Sequence, residues 1–239
     1  MDYVHAVWHH RDTSSLEGGN GTSQFTRRGI LLTIIVVVAG VAAELIDYGF
    51  FGLRIRALDP RSDGGVFGAV GDIALAAAAV AAWMLAARVR SARWLAAVLA
   101  GLLTFLAADQ ITDLHDHISH WLAFYLPVLA ATFAGLVAVA RGRSGRRRVP
   151  GRRRMGRLDT DQLIGTGLLL LAFSFLAHVS GERFLLEIRA ANPTGWAYQI
   201  KAVVKHGTEV AGWLLIALGL LRLARTRQPD AVQTQGRLS

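Results

Sequence analysis

Residues 94–120 read WLAAVLAGLLTFLAADQITDLHDHISH, and the two halves of that stretch decide the architecture. From Trp94 to Ala108 no side chain is ionisable. Continued as a helix to Leu114, at about 1.5 Å per residue, the run crosses roughly 30 Å of hydrocarbon. From Asp109 onward acids and histidines crowd in. The same apolar signature recurs along the chain, which places spans at 29–51, 66–88, 94–114, 121–140, 162–181 and 201–223. The fold class this predicts is all-α: a polytopic membrane helical bundle of six transmembrane helices. The second of these is built on alanine (Ala76 to Ala79, Ala81, Ala82), so its neighbours can approach closely.

Composition excludes the main alternatives. Hydrophobic residues make up 53% of the 239 and charged residues 18%, which fits neither a disordered chain, nor a coiled coil, nor an ordinary cytosolic enzyme. With no cysteine, disulfides, iron–sulfur clusters, thiolate metal sites and cysteine nucleophiles are excluded. The net charge of +9 would suggest nucleic acid in a soluble protein, but its distribution tells another story. Arg11, Arg27 and Arg28 precede the first span, and Arg88, Arg90 and Arg93 join the second to the third. A run of arginines fills 141–157, and Arg222, Arg225, Arg227 and Arg237 follow the last span. All of these fall on one side, so the positive-inside bias puts both termini in the cytoplasm of a multi-pass protein of the plasma membrane. The chain divides into a cytoplasmic polar tail (1–28), helices 1–4 (29–140), a basic cytoplasmic loop (141–161), helices 5–6 (162–223) and a cytoplasmic tail (224–239). Beside the lipid bilayer, the 141–157 loop attracts anionic lipid headgroups, at about 1 kcal/mol per basic residue. It lacks the aromatic side chains on which bases stack, so nucleic acid is not an expected partner.

The acids gather on the opposite side. Glu44 and Asp47 end the first span and Asp72 begins the second. Asp109, Asp113 and Asp116 end the third, Glu182 ends the fifth, and Glu209 begins the sixth. His115, His117, His120, His178 and His206 join them. A charge in a span costs roughly 2.5–3.5 kcal/mol at the bilayer centre and less toward its edge. Several at one depth on different helices are best explained by facing one another across a wetted or metal-filled cavity. Spacing agrees: Asp109, Asp113, His117 and His120 follow i, i+4, i+8, i+11, and Glu44 with Asp47, Ser174 with His178 and Glu182, and His206 with Glu209 each share a face. Carboxylates and imidazoles on facing helices are how bundles hold metals, and a sulfur-free set suits a divalent metal: Zn, Mn or Fe. No span carries the His-Glu-x-x-His zinc motif. On the metal reading Asp113, His117, His178, His206 and Glu209 are ligands and Asp109 or Glu44 the catalytic general base. On the purely structural reading the same groups form a salt-bridged network, with Lys205, Arg183 and Lys201 as counter-charges.

Other polar groups read more plainly. His5, His9 and His10 belong to a solvated tail, and 184–188, where apolar and charged residues alternate, suits a short interfacial helix. The run Phe105-Leu106-Ala107-Ala108-Asp109-Gln110 with His115-Asp116 resembles a pattern in uncharacterised bacterial six-helix membrane proteins, F-L-x-x-D-E-x4-H-E, whose last span reads E-E-G-x-E-x-x-G. The matching stretch here is Lys205-His206-Gly207-Thr208-Glu209-Val210-Ala211-Gly212. Lys205 and His206 stand where that pattern has acids, and Gln110 replaces another. The resemblance implies a membrane location and an altered acidic site, with no activity attached. Two functions follow as expectations: a metal-dependent membrane hydrolase, or a non-catalytic membrane protein (transporter, sensor or assembly partner) whose polar layer is structural.

Overall fold

The structure, a computed structural model, describes residues 14–52, 55, 65–89, 93–112, 114–118, 120–141, 159–182, 184 and 195–226, with side chains at all of these except 14–23, 115, 116, 121, 122 and 182. The histidines of the N-terminal tail, Asp113, the basic loop beyond Arg141 and the 185–188 part of the expected interfacial helix lie outside the described residues. Among the described residues every element is helical: α1 (Ser14–Ile46), α2 (Val66–Arg88), α3 (Arg93–Thr112), α4 (Trp121–Arg141), α5 (Thr160–Glu182) and α6 (Trp196–Thr226). Six of these helical segments are long and apolar enough to cross a membrane.

Of the boundaries that differ from those expected, three bear on the ionisable end or on the length of the first helix. α1 begins at Ser14 rather than near Gly29, because once a helix is nucleated each added residue gains a hydrogen bond without a new nucleation penalty. α3 ends at Thr112, and Leu114–His117 forms a separate 3-10 turn. Aspartate and histidine are weak helix formers, and short polar side chains compete for the backbone. The continuous stripe from Asp109 to His120 therefore does not form on one helix. α6 starts at Trp196, with Tyr198 and Gln199 donating their N–H groups to the Gly195 carbonyl.

α2, α3, α4 and α5 follow one another around a ring that α6 closes by packing on both α5 and α2, while α1 lies against α6. The core is built from Ala78, Ala82 and Leu85 of α2, Leu99 and Leu103 of α3, and Leu136 of α4, with Ile164 of α5 and Ile216 and Leu220 of α6, all essentially fully buried. The α5–α6 seam depends on glycine. A Cβ at Gly167 would stand 2.7 Å from the Gly212 carbonyl oxygen, and one at Gly212 would stand 2.9 Å from the Gly167 carbonyl oxygen. Each helix thus rests its backbone on the other, with Cα–H groups directed at carbonyls. The outward faces are apolar too: Leu31, Val38, Ile73, Val80, Leu169 and Leu176 are more than half exposed.

At the end where α2 finishes, the Arg88 guanidinium donates to the Ala224 carbonyl at 2.9 Å. That carbonyl is one of the C-terminal acceptors of α6 that have no partner in their own helix. Arg88→Ala is expected to lower stability by about 1 kcal/mol, a modest figure because the arginine is exposed. Thermal unfolding of the purified protein in detergent measures it.

Candidate functional site

The other end of the bundle, where α1, α3 and α5 finish and α2, α4 and α6 begin, collects the ionisable groups. Contacts across it tie these ends together. The Tyr48 ring meets the Trp196 ring edge-on at 4.3 Å, and Gly181 lies against the Lys201 side chain. Phe67 packs directly on Gly40, whose missing side chain lets the ring lie on the α1 backbone.

Beyond Ile46 the chain of α1 widens into a π-helical turn, Asp47–Phe51. Asp47 closes it twice over. Its carbonyl accepts the N–H of Gly52, which sits in the left-handed region at φ 62°, and its carboxylate Oδ1 accepts the N–H of Ile55 at 3.1 Å. Asp47 is fully buried, as are Glu44 one turn earlier and Gln199 in the first turn of α6. Glu44 and Asp47 lie along α1 between its contact with Gly207, through Val41, and the Tyr48–Trp196 contact. Three buried polar side chains therefore stand where α1 ends and α6 begins.

A second polar contact joins α3 to α4. The Tyr125 hydroxyl donates to Oδ1 of Asp109 in a short hydrogen bond, and both residues are buried, at 4% and 3% exposure. The tyrosine ring is held between Phe105, stacked at 5.9 Å, and Phe124, edge-on at 5.4 Å. Asp109 thus faces α4.

The third group lines a pocket of about 70 Å³ between α2, α3 and α6. Phe67 and Asp72 come from α2, Gln110 from α3, and Lys205, His206 and Glu209 from α6. The Lys205 ammonium pairs with Oε2 of Glu209 at 2.9 Å, and His206 Nδ1 lies 4.0 Å from the same oxygen. Lys205 and Glu209 are each one-quarter exposed, so this pair sits at the open side. The α6 backbone beneath it is fixed from α5: Ser174 donates to the Lys205 carbonyl at 2.8 Å.

The described residues among those singled out from sequence therefore distribute over at least four places. His206 and Glu209 meet in the pocket, and His178 on α5 lies within electrostatic reach of His206. His117 is exposed on the 3-10 turn, off the axis of α3. Asp109 and Glu44, the expected bases, are buried, and neither lines the pocket. Among the described residues no three histidine, aspartate or glutamate side chains converge as a metal site would require. Two participants were not anticipated, Tyr125 and Gln199. A tyrosine inside an apolar helix has to place its hydroxyl on a polar partner, and that signal could have marked Tyr125. Gln199 falls outside the apolar span 201–223 and belongs to the first turn of α6.

Residues 29–223 match the family described as a domain of unknown function (DUF8692). No curated protein and no solved structure matches the chain.

Proposed function

The chain belongs to the DUF8692 family, and on that footing we propose that it is a non-catalytic, multi-pass protein of the bacterial plasma membrane in which the carboxylate and histidine layer is structural. Both termini face the cytoplasm on this reading, and the layer lies at the outer leaflet. The basic segment 141–157 meets anionic headgroups on the inner face. The observation that carries the proposal is how the layer's acids are used. Asp109 accepts from Tyr125, Asp47 caps its own helix end through Ile55, and Glu209 pairs with Lys205. Each of these three acids is engaged within the protein, and the Asp109 contact joins α3 to α4. Apolar side chains on both the inward and outward faces support the membrane setting, since a helix apolar all round needs hydrocarbon or a large core around it.

Two measurements test this. Fluorescent-protein and alkaline-phosphatase fusions at the C-terminus and within 141–157 should report both on the cytoplasmic side. Elemental mass spectrometry of the detergent-purified protein should find no stoichiometric zinc, manganese or iron. His178→Ala and His206→Ala should lower the melting temperature without changing metal content. A stoichiometric metal lost in those variants would replace the structural reading with the metal-dependent hydrolase.

A further inference from the structure

We propose that the inner end of the α1–α6 seam binds the phosphate of an anionic glycerophospholipid, with Arg28 and Arg225 as its donors. The proposal rests on the membrane setting and orientation proposed above, and not on the role of the carboxylate layer. Two helices bring the arginines to one ring. The Arg225 guanidinium of α6 lies over the Phe25 ring of α1, 4.0 Å from its centroid. Arg28 follows Phe25 by three residues on α1, so their Cβ atoms stand about 5–6 Å apart. One turn beyond Phe25, Gly29 takes the Leu218 side chain against the α1 backbone, which holds the two helices close at this level. Both arginines are exposed. A guanidinium resting on an aromatic face keeps N–H donors at its rim, where a phosphate can take two of them side by side. The ring also orients those donors before the ligand arrives, so less freedom is lost on binding.

The residues deeper along α1 assign that phosphate to a lipid. Arg28, Leu32, Ile35 and Ala39 follow i, i+4, i+7, i+11 and form one stripe of the helix. All four are exposed, Leu32 at 59% and Ile35 at 54%. α1 packs on the bundle mainly through α6, which leaves this flank open. A cation at the head of an exposed apolar stripe matches a molecule with an anionic head and acyl tails, whereas a free phosphate would leave the stripe unused. The site also differs from the basic segment 141–157, whose attraction for headgroups is diffuse and accumulates charge by charge. Here the donors stand on two packed helices, so the geometry of the phosphate counts as well as its charge.

Dioleoyl phosphatidylglycerol is the probe. Titrated into the full chain in mild detergent at constant ionic strength, it should raise the melting temperature saturably, whereas dioleoyl phosphatidylcholine should not. Arg225→Gln should weaken binding by about tenfold, the loss of one charge-assisted contact. Arg28→Gln should weaken it similarly, and it leaves the Phe25 stack in place should Arg225→Gln fail to fold. Arg93→Gln removes an exposed arginine from the start of α3 at the same end of the bundle, and should leave the affinity unchanged. No difference between the two lipids, unchanged binding in Arg28→Gln, or an equal loss in Arg93→Gln overturns the proposal. Glycerol phosphate acting as well as the lipid would assign the arginines to a free anion and overturn it too. A dimer in size exclusion that phosphatidylglycerol does not disperse would give the stripe to a second copy, with the same result. Micelles have no sides, so a failure of the topology fusions would leave this titration standing.

Discussion

Gly212→Leu is expected to abolish the monodisperse, folded protein in detergent, or to lower its stability by more than about 3 kcal/mol, the upper end of what an overpacked core ordinarily suffers. The reason lies in what the new side chain would meet. At Gly212 a Cβ stands 2.8 Å from Leu171 Cγ and 2.9 Å from the Gly167 carbonyl oxygen. The leucine can change rotamer, but the carbonyl belongs to the α5 backbone and cannot move without separating the two helices. Gly167→Val meets the reciprocal obstacle, 2.7 Å from the Gly212 carbonyl oxygen. The controls are Gly165 on α5 itself and Gly101 on α3. Gly101 and Gly165 face open space, with nothing near a would-be Cβ, so Gly101→Ala and Gly165→Ala should be neutral or stabilising by up to about 1 kcal/mol through helix propensity. Fluorescence-detected size exclusion after a heating series distinguishes the two classes. Equal stability of Gly212→Leu and Gly165→Ala would refute the account of the α5–α6 seam.

Tyr125→Phe is expected to destabilise by about 1–3 kcal/mol, since it removes a donor from a buried carboxylate while leaving the volume unchanged. Asp109 is only 3% exposed, so water cannot readily replace the lost hydroxyl. The double variant Asp109→Leu/Tyr125→Phe removes both polar groups and should recover much of the loss, giving a coupling energy of about 0.5–3 kcal/mol in a double-mutant cycle. Thermal unfolding of the four proteins in one detergent measures it. A Tyr125→Phe protein as stable as the parent would remove the Asp109–Tyr125 contact from the structural layer.

How far these features were legible in the sequence varies from helix to helix. The limits of α2 were, because Val66 and Arg88 stand where an apolar run, broken only by Asp72, meets polar flanks. The clustering of acids and histidines at one end also was, because it follows from position along the spans once their direction is assigned. Partnership was not. Helices apolar on their outer as well as inner faces carry no stripe that points to the core, so periodicity does not reveal that α6 sits between α5 and α2. Without that adjacency, the meeting of Asp72, Gln110 and Glu209 is invisible. The helix 3 stripe misled for a local reason: its spacing is correct only on an unbroken helix, and α3 stops at Thr112. Lys205 and His206, where the resembling pattern carries acids, did point to the pocket, though as an altered site rather than a cavity.

The central place of α6 has a consequence for how the molecule is made. Its apolar window is the least hydrophobic of the six and the most enclosed, 61% buried against 11% for the first span. A ribosome delivers the chain from the N-terminus, so α2 and α5 emerge before the helix against which both are fitted. The nascent chain therefore waits with two unmatched surfaces, and α6 enters a place its predecessors have already shaped. Shortening the C-terminal end would then remove more than a tail. It would leave the ring without the helix that closes it between α5 and α2, and quality-control proteases would meet an open ring.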